Sequence, residues 1–435
     1  MRVFYPWAKV ILSAIYEGDD EKVVSSPVYP LEVTVECNSY READTAKVVC
    51  NFKEQPIDPR LVRSLAIQVH MDTKSSAGGE TNCDDSNLMF VGFVDVPSME
   101  FSDDGSKVSF EARDYTALLI DTMIGDEMID LRKPVDQIVK ALLAEEAAFA
   151  EIEVVLKGIE ETPNLSEFKS DWNHKAGTEE GESYWDFIVD LVQQAGLICY
   201  IEKDKLIITK AKNLTPDTYV ELFLYGKNLK KLKIERDLRK KRAPSIEVRS
   251  YDDKQKKTLI GKYPKKDPER KVVSGEDKVD KQEKIRFTVS NINDKARLDQ
   301  IAEDTYWALV REEMSGSLET EEARTLFSGS DKSLMTLRHG DAVFVGFHAD
   351  SNGVFNFHNM SESERQGHLK RMGYPDDLAS VFSKLYDSDK MYGPYYVKKA
   401  AHKFSVESGY SLNVDFINFI DADKIVQEAQ NAEGS

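Results

Sequence analysis

The sequence is poor in the residues that build metal sites and disulfide frameworks. Its 435 residues include only four cysteines, Cys37, Cys50, Cys83 and Cys199, and no two of them have CxxC spacing. None of the seven histidines lies in an HxxxH or HExxH pattern, which are typical spacings of metal ligands. We therefore expect no metal, no cofactor and free buried thiols in a reducing compartment. A disulfide between Cys37 and Cys50 is the alternative.

Long apolar runs are also absent. A membrane-spanning helix needs about 20 consecutive apolar residues, and no stretch approaches that length. The apolar stretch from Val10 to Ile15 follows Pro6 and Lys9 and ends in acidic residues, unlike a signal peptide with a small-residue cleavage site. The sequence therefore predicts a soluble protein that is not exported and does not insert into membranes.

Positive charge is outnumbered by negative charge. Lysine and arginine number 58 against 77 aspartates and glutamates, which gives a formal net charge of -19. Such a chain repels DNA and anionic lipid overall, because both are bound mainly through cationic side chains. The apolar fraction of 41% is ample for two to four domains with proper cores.

Catalytic patterns are weak throughout the chain. No GxSxG, Walker A or GxGxxG motif occurs in a supporting context, and acidic pairs such as Glu160 and Glu161 are better explained as solvated faces. His348, His358 and His368 share one segment, but scattered surface histidines are a better explanation than a metal site. We therefore expect a protein that is not an enzyme.

Two regions alternate apolar and polar residues with the period of half-buried strands. The first region runs to about residue 130, with predicted strands at Leu31–Asn38, Ala46–Phe52, Leu65–Met71, Leu88–Val94 and Lys107–Ala112. The second begins after Thr215, with predicted strands at Lys230–Glu235, Ser245–Tyr251, Thr258–Tyr263, Ile285–Val289, Met314–Leu318, Ala342–Phe347, Tyr396–Ser405 and Leu412–Phe419. A helix is predicted over 294–313 and a long exposed loop over 265–283.

The segment between the two regions is richer in helix. A helix is predicted from Pro134 to Ala150, followed by a strand at Ile152–Leu156. The stretch SYWDFIVDLVQQAGLICYIEKDKLIITKA then reads as a helix capped by Ser183, a stop at Gly196 and a two-stranded hairpin. Its apolar helix face is expected to pack on the hairpin, and it carries no obvious chemistry.

One basic run stands out in this acidic chain, formed by Arg239, Lys240, Lys241 and Arg242. It is either an intersubunit contact with an acidic neighbour or a solvated strand end, and the strands on either side are candidate subunit or tube contacts. Near the N-terminus, Tyr5 and Trp7 either anchor on a partner or close the first β domain. The terminal hairpin, 396–419, is expected to close or extend the second β domain.

Taken in order, several segments resemble the baseplate hub proteins of contractile phage tails, the late control protein D-like family, which is related to the N-terminal part of type VI secretion spike proteins. The resemblance covers most of the chain from about Leu31 to Leu337 and resumes at Tyr396. It is carried by FVGFVDVPSMEFSDDGSKVSFEARDYTALLID (90–121), the helix and hairpin unit above, LKIERDLRKKRAPSIEVRSYDDKQKKTLIGKYP (232–264), LDQIAEDTYWALVREEMSGSLET (298–320) and LRHGDAVFV (337–345).

The resemblance implies a mainly β fold with α+β parts: two tail-tube-like β-barrel domains joined by a small α/β domain. The sequence departs from the family pattern by a helical insertion in the second barrel, which we interpret as an interaction element. The expected domains are a first barrel (1–130), an α/β connector (131–213), a second barrel (214–347 and 396–421), the insertion (348–395) and a flexible tail (422–435).

The implied function is that of a structural hub in the tail baseplate of a virion, assembled in the cytoplasm of the bacterial host. A homotrimeric ring of this kind adapts the six-fold tail tube to the three-fold central spike and leaves a channel for DNA. Expected partners are the tail-tube, spike and baseplate wedge proteins, with the tape-measure protein as a further candidate, and DNA only in passage. The alternatives are a peptidoglycan hydrolase of the tail, or the hub of a phage-tail-like bacteriocin or secretion system.

Overall fold

The computed structural model shows where these elements lie. It describes residues 5–16, 19–38, 42–53, 57–74, 82–102, 105–125, 128–130, 132–164, 173–175, 182–209, 221–225, 228–237, 245–252, 256–265, 271–274, 277–280, 284–289, 292, 294–311, 314–323, 334–347, 361–371 and 393–418. No helix in these ranges is long and apolar enough to span a membrane.

The N-terminal region forms seven strands, which we call the first strand set. They are β1 (Tyr5–Tyr16), β2 (Asp19–Val28), β3 (Glu32–Cys37), β4 (Thr45–Asn51), β5 (Val62–Lys74), β6 (Leu88–Ser102) and β7 (Gly105–Arg113), followed by helix α1 (Tyr115–Asp121). In β3 and β4 every second side chain is buried, as the sequence alternation predicts.

The connector follows in the chain. Its elements are β8 (Met128–Asp130), α2 (Val135–Glu145), β9 (Glu153–Lys157), β10 (Asn173–Lys175), α3 (Tyr184–Gln194), β11 (Ile198–Glu202) and β12 (Lys205–Thr209). The β11–β12 hairpin and β9 form a three-stranded sheet, in which β9 runs parallel to β12. The apolar faces of α2 and α3 pack on this sheet around Ile188, Leu206 and Ile208, which are fully buried.

The remaining strands run from β13 to β23. They are β13 (Glu221–Tyr225), β14 (Lys231–Arg236), β15 (Ser245–Asp252), β16 (Lys257–Tyr263), β17 (Lys271–Ser274), β18 (Asp277–Asp280), β19 (Lys284–Thr288), β20 (Met314–Thr320), β21 (Ala342–Phe347), β22 (Gly393–Ser405) and β23 (Gly409–Asn418). Two helices belong to this part, α4 (Lys295–Arg311) and α5 (Glu362–Arg371).

A single sheet of thirteen strands contains the first strand set and a second strand set, made of β13, β14 and β20–β23. Its order is β14-β20-β23-β22-β3-β4-β7-β6-β5-β1-β2, with β21 joined to β22 and β13 to β21. The two sets meet where β22 pairs with β3, with His402 opposite Val35. One apolar core accordingly runs through both sets, from Val33 and Phe110 to Val343 and Phe416.

Strand β22 makes this joint possible because it changes partners along its length. Its first residues lie between β21 and β23, whereas Ala400 to Ser405 lie between β3 and β23. The register of β22 on β23 shifts between Val397 and Lys399. Such a bulge bends a strand and increases its twist, so one half of β22 can follow each strand set.

Strands β15, β16 and β19 form a separate small sheet, with β16 antiparallel and β19 parallel to β15. One face of this sheet packs on α4 through a small core that includes Ile246, Val248, Leu298 and Ala302. At Gly261 a side chain would collide with the backbone of Leu298, so glycine lets the helix approach the strand closely.

The predicted fold class is confirmed: the chain is mainly β, with large antiparallel sheets and few helices. The helix and hairpin unit is also confirmed, because Ser183 Oγ accepts from the Asp186 amide and Gly196, with φ 72, ends α3. The domain boundaries stay a prediction. Most of the predicted insertion, 348–395, and the predicted tail, 422–435, lie outside the described residues.

The structure differs from the sequence predictions in three places. The expected loop over 265–283 is wrong in part, because β17 and β18 pair as a hairpin inside it. The expected helix over 134–150 ends at Glu145 and is followed by a 3-10 turn at Ala147–Phe149. Strands β1 and β2 were not predicted, although alternate residues of β1 from Ala8 to Ala14 are buried as in the other strands.

Substitution of Gly196 tests how the connector is fixed to the small sheet. The Gly196 and Leu197 amides donate to Gln193 and Val192, and Arg297 of α4 donates to the Gln194 carbonyl at 2.7 Å. A Cβ at residue 196 would lie 2.3 Å from the Arg297 guanidinium. Gly196→Ala is therefore expected to lower the free energy of unfolding by about 2–4 kcal/mol, from left-handed backbone strain and a lost charged hydrogen bond.

The matched control is Gly409→Ala, at the turn between β22 and β23. Gly409 has a similar φ of 77, but nothing lies within 4 Å of its added Cβ. Urea unfolding of both variants separates backbone strain from the loss of the Arg297 contact. Equal destabilisation of the two variants contradicts a role for Arg297 in holding α3.

Candidate functional site: the Arg338 junction

The residues singled out in the sequence do not come together in one described site. The basic run 239–242 lies outside the described residues. Trp7 is buried in β1, opposite Asp72 of β5, whereas Tyr5 at the start of the strand is 42% exposed and lies opposite Lys74. The structure instead brings charged groups together around Arg338, a residue to which the sequence analysis gave no role.

Arg338 lies between a 3-10 turn (Leu334–Thr336) and β21, and its side chain is buried. One guanidinium nitrogen donates to the Met89 carbonyl of β6. The other terminal nitrogen is 3.8 Å from an Asp44 oxygen at the end of the β3–β4 connection. A side chain of the second strand set is thus inserted into the first, close to the place where β22 pairs with β3.

Three carboxylates surround or flank this guanidinium. Asp44 Oδ1 accepts from the Asn38 amide at 2.7 Å, and its backbone carbonyl accepts from the Asp114 amide at 3.1 Å. Asp114 in turn caps α1, since its Oδ1 accepts from the Thr116 amide at 3.0 Å. Asp341 Oδ2 accepts from the Arg338 amide at 2.7 Å. We call Arg338, Asp44, Asp114 and Asp341 the Arg338 junction.

Burial makes the charged forms of these carboxylates unfavourable. Burial raises the pKa of Asp44 to about 7, and the neighbouring Asp114 charge adds to the effect while Arg338 opposes it. Burial likewise raises the pKa of Asp114 and of Asp341 to about 6. One guanidinium cannot neutralise the buried Asp44 and Asp114 together with the partly exposed Asp341, so the raised pKa values favour protonation of these groups near neutral pH.

His402 of β22 lies next to this region and is fully buried. Its Nε2 is 2.8 Å from the Leu337 carbonyl, which can only accept, so Nε2 carries the hydrogen. Its Nδ1 then accepts from the Tyr410 hydroxyl, also at 2.8 Å. Burial lowers the pKa of His402 to about 4. The imidazole is therefore neutral with both nitrogens bonded, which is a structural arrangement and not that of an acid–base catalyst.

The connector touches both strand sets beside the junction. Tyr200 and Ile207 of its hairpin pack against Tyr396 of β22, and the Tyr200 ring meets His339 edge to face at 4.8 Å. On the other side, Lys203 at the hairpin turn donates to the Asp85 carbonyl at 2.8 Å. The connector hairpin therefore bridges the first and second strand sets.

The chemistry available at these groups is limited. Within the described ranges no group of three or more His, Cys, Asp and Glu side chains is arranged to hold a metal ion. The four cysteines are free. Burial raises the pKa of Cys50 to about 12 and that of Cys37 further, so both thiols stay protonated and unreactive.

The sequence carries a partial signal for the junction. In LRHGDAVFV an arginine and an aspartate lie three residues apart between apolar positions, which is unusual for solvated charges. Asp44 and Asp114 carry a similar signal, since each is a charged residue directly next to a strand with alternating buried residues. Which of the many acidic residues meets Arg338 is set by the strand order, and no local pattern reveals it.

Comparison with solved structures identifies the fold. The tail protein from Neisseria meningitidis MC58 superposes with a TM-score of 0.58 and 14% identity, covering 95% of this chain and 96% of that protein. The 43 kDa tail protein of prophage MuSo2 from Shewanella oneidensis gives a TM-score of 0.54 and 13% identity, covering 94% and 98%. No protein-family model matches the sequence, and no curated protein matches it significantly.

The chain therefore has the fold of phage tail proteins over almost its whole length. This likeness agrees with the baseplate hub resemblance drawn from the sequence. At these identities the likeness defines the fold and leaves the particular role to be argued.

Replacing Arg338 tests whether the junction holds the strand sets together. Arg338→Met leaves the Met89 carbonyl and the carboxylates without their cation in a buried place. Breaking a buried ion pair on one side costs about 3–5 kcal/mol, and we expect a loss of that size in urea unfolding at pH 8. The exposed Arg60, paired with Asp58 at 2.6 Å, is the control. If Arg338→Met is as mild as Arg60→Met, the junction does not carry the joint.

A second prediction concerns pH. Because the folded pKa of Asp44 lies above that of an unfolded aspartate, the folded protein binds the extra proton and becomes more stable as pH falls. The Asp44 contribution from pH 8 to pH 6.5 is expected to be on the order of 1 kcal/mol. Burial lowers the pKa of His402 and of His339 to about 4, which acts in the opposite direction over the same range, so the test compares two proteins that share both histidines.

Asp44→Asn keeps the oxygen that accepts from Asn38 and removes the titration. Between pH 8 and pH 6.5 its unfolding free energy should fall relative to that of the unsubstituted protein, by on the order of 1 kcal/mol. Measuring both proteins by urea unfolding at the two pH values is sufficient. If the unfolding free energy changes by the same amount between the two pH values in Asp44→Asn and in the unsubstituted protein, Asp44 does not titrate in this range.

Proposed function

We propose that this chain is a structural hub of a contractile phage tail, located in the tail baseplate of the virion. The observation that carries the proposal is the joining of two strand sets into one sheet, in a chain with the fold of tail proteins along its whole length. Three copies would then present six strand sets around one axis. A ring of this kind matches a six-fold tube on one side and a three-fold spike on the other.

The two ends of the main sheet favour assembly of several copies into a closed ring. Among the described strands, β14 pairs only with β20 and β2 only with β1, so neither end of the main sheet has a further described strand beside it. Closed cyclic assembly is the usual way for identical chains to cover such ends. Pro27 in β2 has no N–H to donate, which disfavours simple strand addition at that edge. Copies are therefore expected to meet through side chains.

The charge of the chain suits a passage for DNA. With a net charge of -19 the ring would repel the phosphate backbone, so DNA could pass without being held. The proposed partners are the tail-tube, spike and baseplate wedge proteins, and the proposed role involves no catalysis. The saturated hydrogen bonds of His402 and the protonated thiols of Cys37 and Cys50 support a structural role.

Oligomeric mass tests the proposal. The purified full chain, alone or with its spike partner, is expected to reach the mass of three copies in analytical ultracentrifugation. A strict monomer under all conditions contradicts the hub.

Duplex DNA should not be retained by the trimer at low salt, and strong retention counts against the channel. Robust peptidoglycan hydrolysis that a single acidic substitution abolishes would contradict the purely structural role.

A further inference from the structure

The small sheet of β15, β16 and β19 has one face on α4 and one face turned outward. The strand registers place Glu247, Arg249, Tyr251, Ile260, Lys262 and Arg286 on the outward side. Ile246 and Val248 point to the opposite side and are fully buried under α4. We call the outward side the basic face.

The basic face differs in charge from the rest of the chain. It carries four cations, Arg249, Lys262, Arg286 and Lys284, which lies opposite Ser245, and one carboxylate, Glu247, in a protein whose net charge is -19. Tyr251 and Ile260 add apolar surface, since they are 52% and 42% exposed. Arginine and tyrosine beside exposed apolar area are typical of protein interfaces.

Glu247 holds the two arginines in place. Its Oε1 accepts from Arg249 Nε at 2.8 Å and lies 3.5 Å from Arg286 Nε. The Glu247 side chain is 13% exposed, whereas those of Arg249 and Arg286 are 43% and 56% exposed. The carboxylate therefore lies beneath two guanidinium groups that keep donors available at the surface. Such prior ordering lowers the entropy cost of binding an acidic surface.

The same chain offers an acidic counterpart on the connector. Glu145, Glu146, Glu151 and Glu153 are all exposed around the end of α2 and the start of β9. Glu145 and Glu146 lie at the C-terminal end of the helix, where negative charge is unfavourable and no basic residue occupies the last turn. Local stability therefore does not explain Glu145 and Glu146, whereas Glu151 accepts from the Tyr115 hydroxyl and Glu153 lies 4.0 Å from Lys205. We call these four residues the acidic connector surface.

We propose that the basic face of one copy docks on the acidic connector surface of the next copy. The two surfaces are different parts of the chain, so the contact is head to tail, and such contacts close into rings when the rotation permits. This inference rests on the proposed ring and names the surfaces that build it. A second copy fits better than nucleic acid, because the chain as a whole repels phosphate and the face includes exposed apolar side chains.

Charge reversal on each side, followed by their combination, tests the contact. The basic variant is Arg249→Glu with Arg286→Glu, and the acidic variant is Glu145→Lys with Glu146→Lys. Sedimentation of the full chain at low salt should show each variant weakening assembly by about 10-fold or more. Combining all four substitutions in one chain should restore assembly, because every contact of a three-membered ring then pairs a reversed face with a reversed connector. Raising the salt should weaken assembly of the unsubstituted chain.

The variant Glu145→Lys with Glu146→Lys separates a lost contact from misfolding. Lysine at the C-terminal end of α2 is expected to favour the helix, so a loss of assembly there is not a loss of fold. The control variant is Lys47→Glu with Arg60→Glu, two exposed cations of the first strand set that pair with carboxylates at 2.7 and 2.6 Å. It should assemble like the unsubstituted chain.

The outcomes separate this inference from the proposed function. A trimer that neither reversal weakens overturns the docking contact and leaves the hub intact. Weakening by the basic variant alone, or binding of a duplex DNA probe to the basic face in place of assembly, also overturns it. A chain that stays monomeric in every condition overturns both. Weakening by each variant, with recovery in the chain that carries all four substitutions, is the result that the proposal requires.

Discussion

The buried guanidinium of Arg338 is the contact on which the arrangement of the two strand sets depends. It reaches from the turn before β21 to the Met89 carbonyl and to Asp44, so the second strand set is tied to the interior of the first. Buried ion pairs give little net stability over an apolar core, but they strongly disfavour arrangements that leave a charge alone. A guanidinium with few alternative partners therefore fixes how β22 lies against β3.

The connector then acts as a brace around this joint. Its hairpin packs on β22 through Tyr200 and on the first strand set through Lys203, while Arg297 of α4 reaches the end of α3. Three separate units thus contact one small α/β domain. Their contacts with the connector combine apolar packing at Tyr200 with hydrogen bonds from Lys203 and Arg297.

Charge is divided unevenly over this framework. The whole chain is acidic, yet the outward side of the small sheet is basic and the end of α2 gathers glutamates that the helix itself does not favour. A negative net charge repels nucleic acid, whereas local departures from it can attract a surface of opposite charge. In the proposed hub the first effect would serve the passage of DNA and the second would serve assembly.

The sequence by itself determined the mainly β class, most strand positions and the helix and hairpin unit, because alternation, the Ser183 cap and Gly196 act over neighbouring residues. Strand β1 does not show this signal, because consecutive apolar residues in its sequence hide the alternation of buried side chains. Only the tertiary structure decided that β3 pairs with β22 and that Arg338 meets Asp44, residues nearly 300 positions apart. Such contacts depend on strand order and on the bulge in β22, which no period in the sequence encodes.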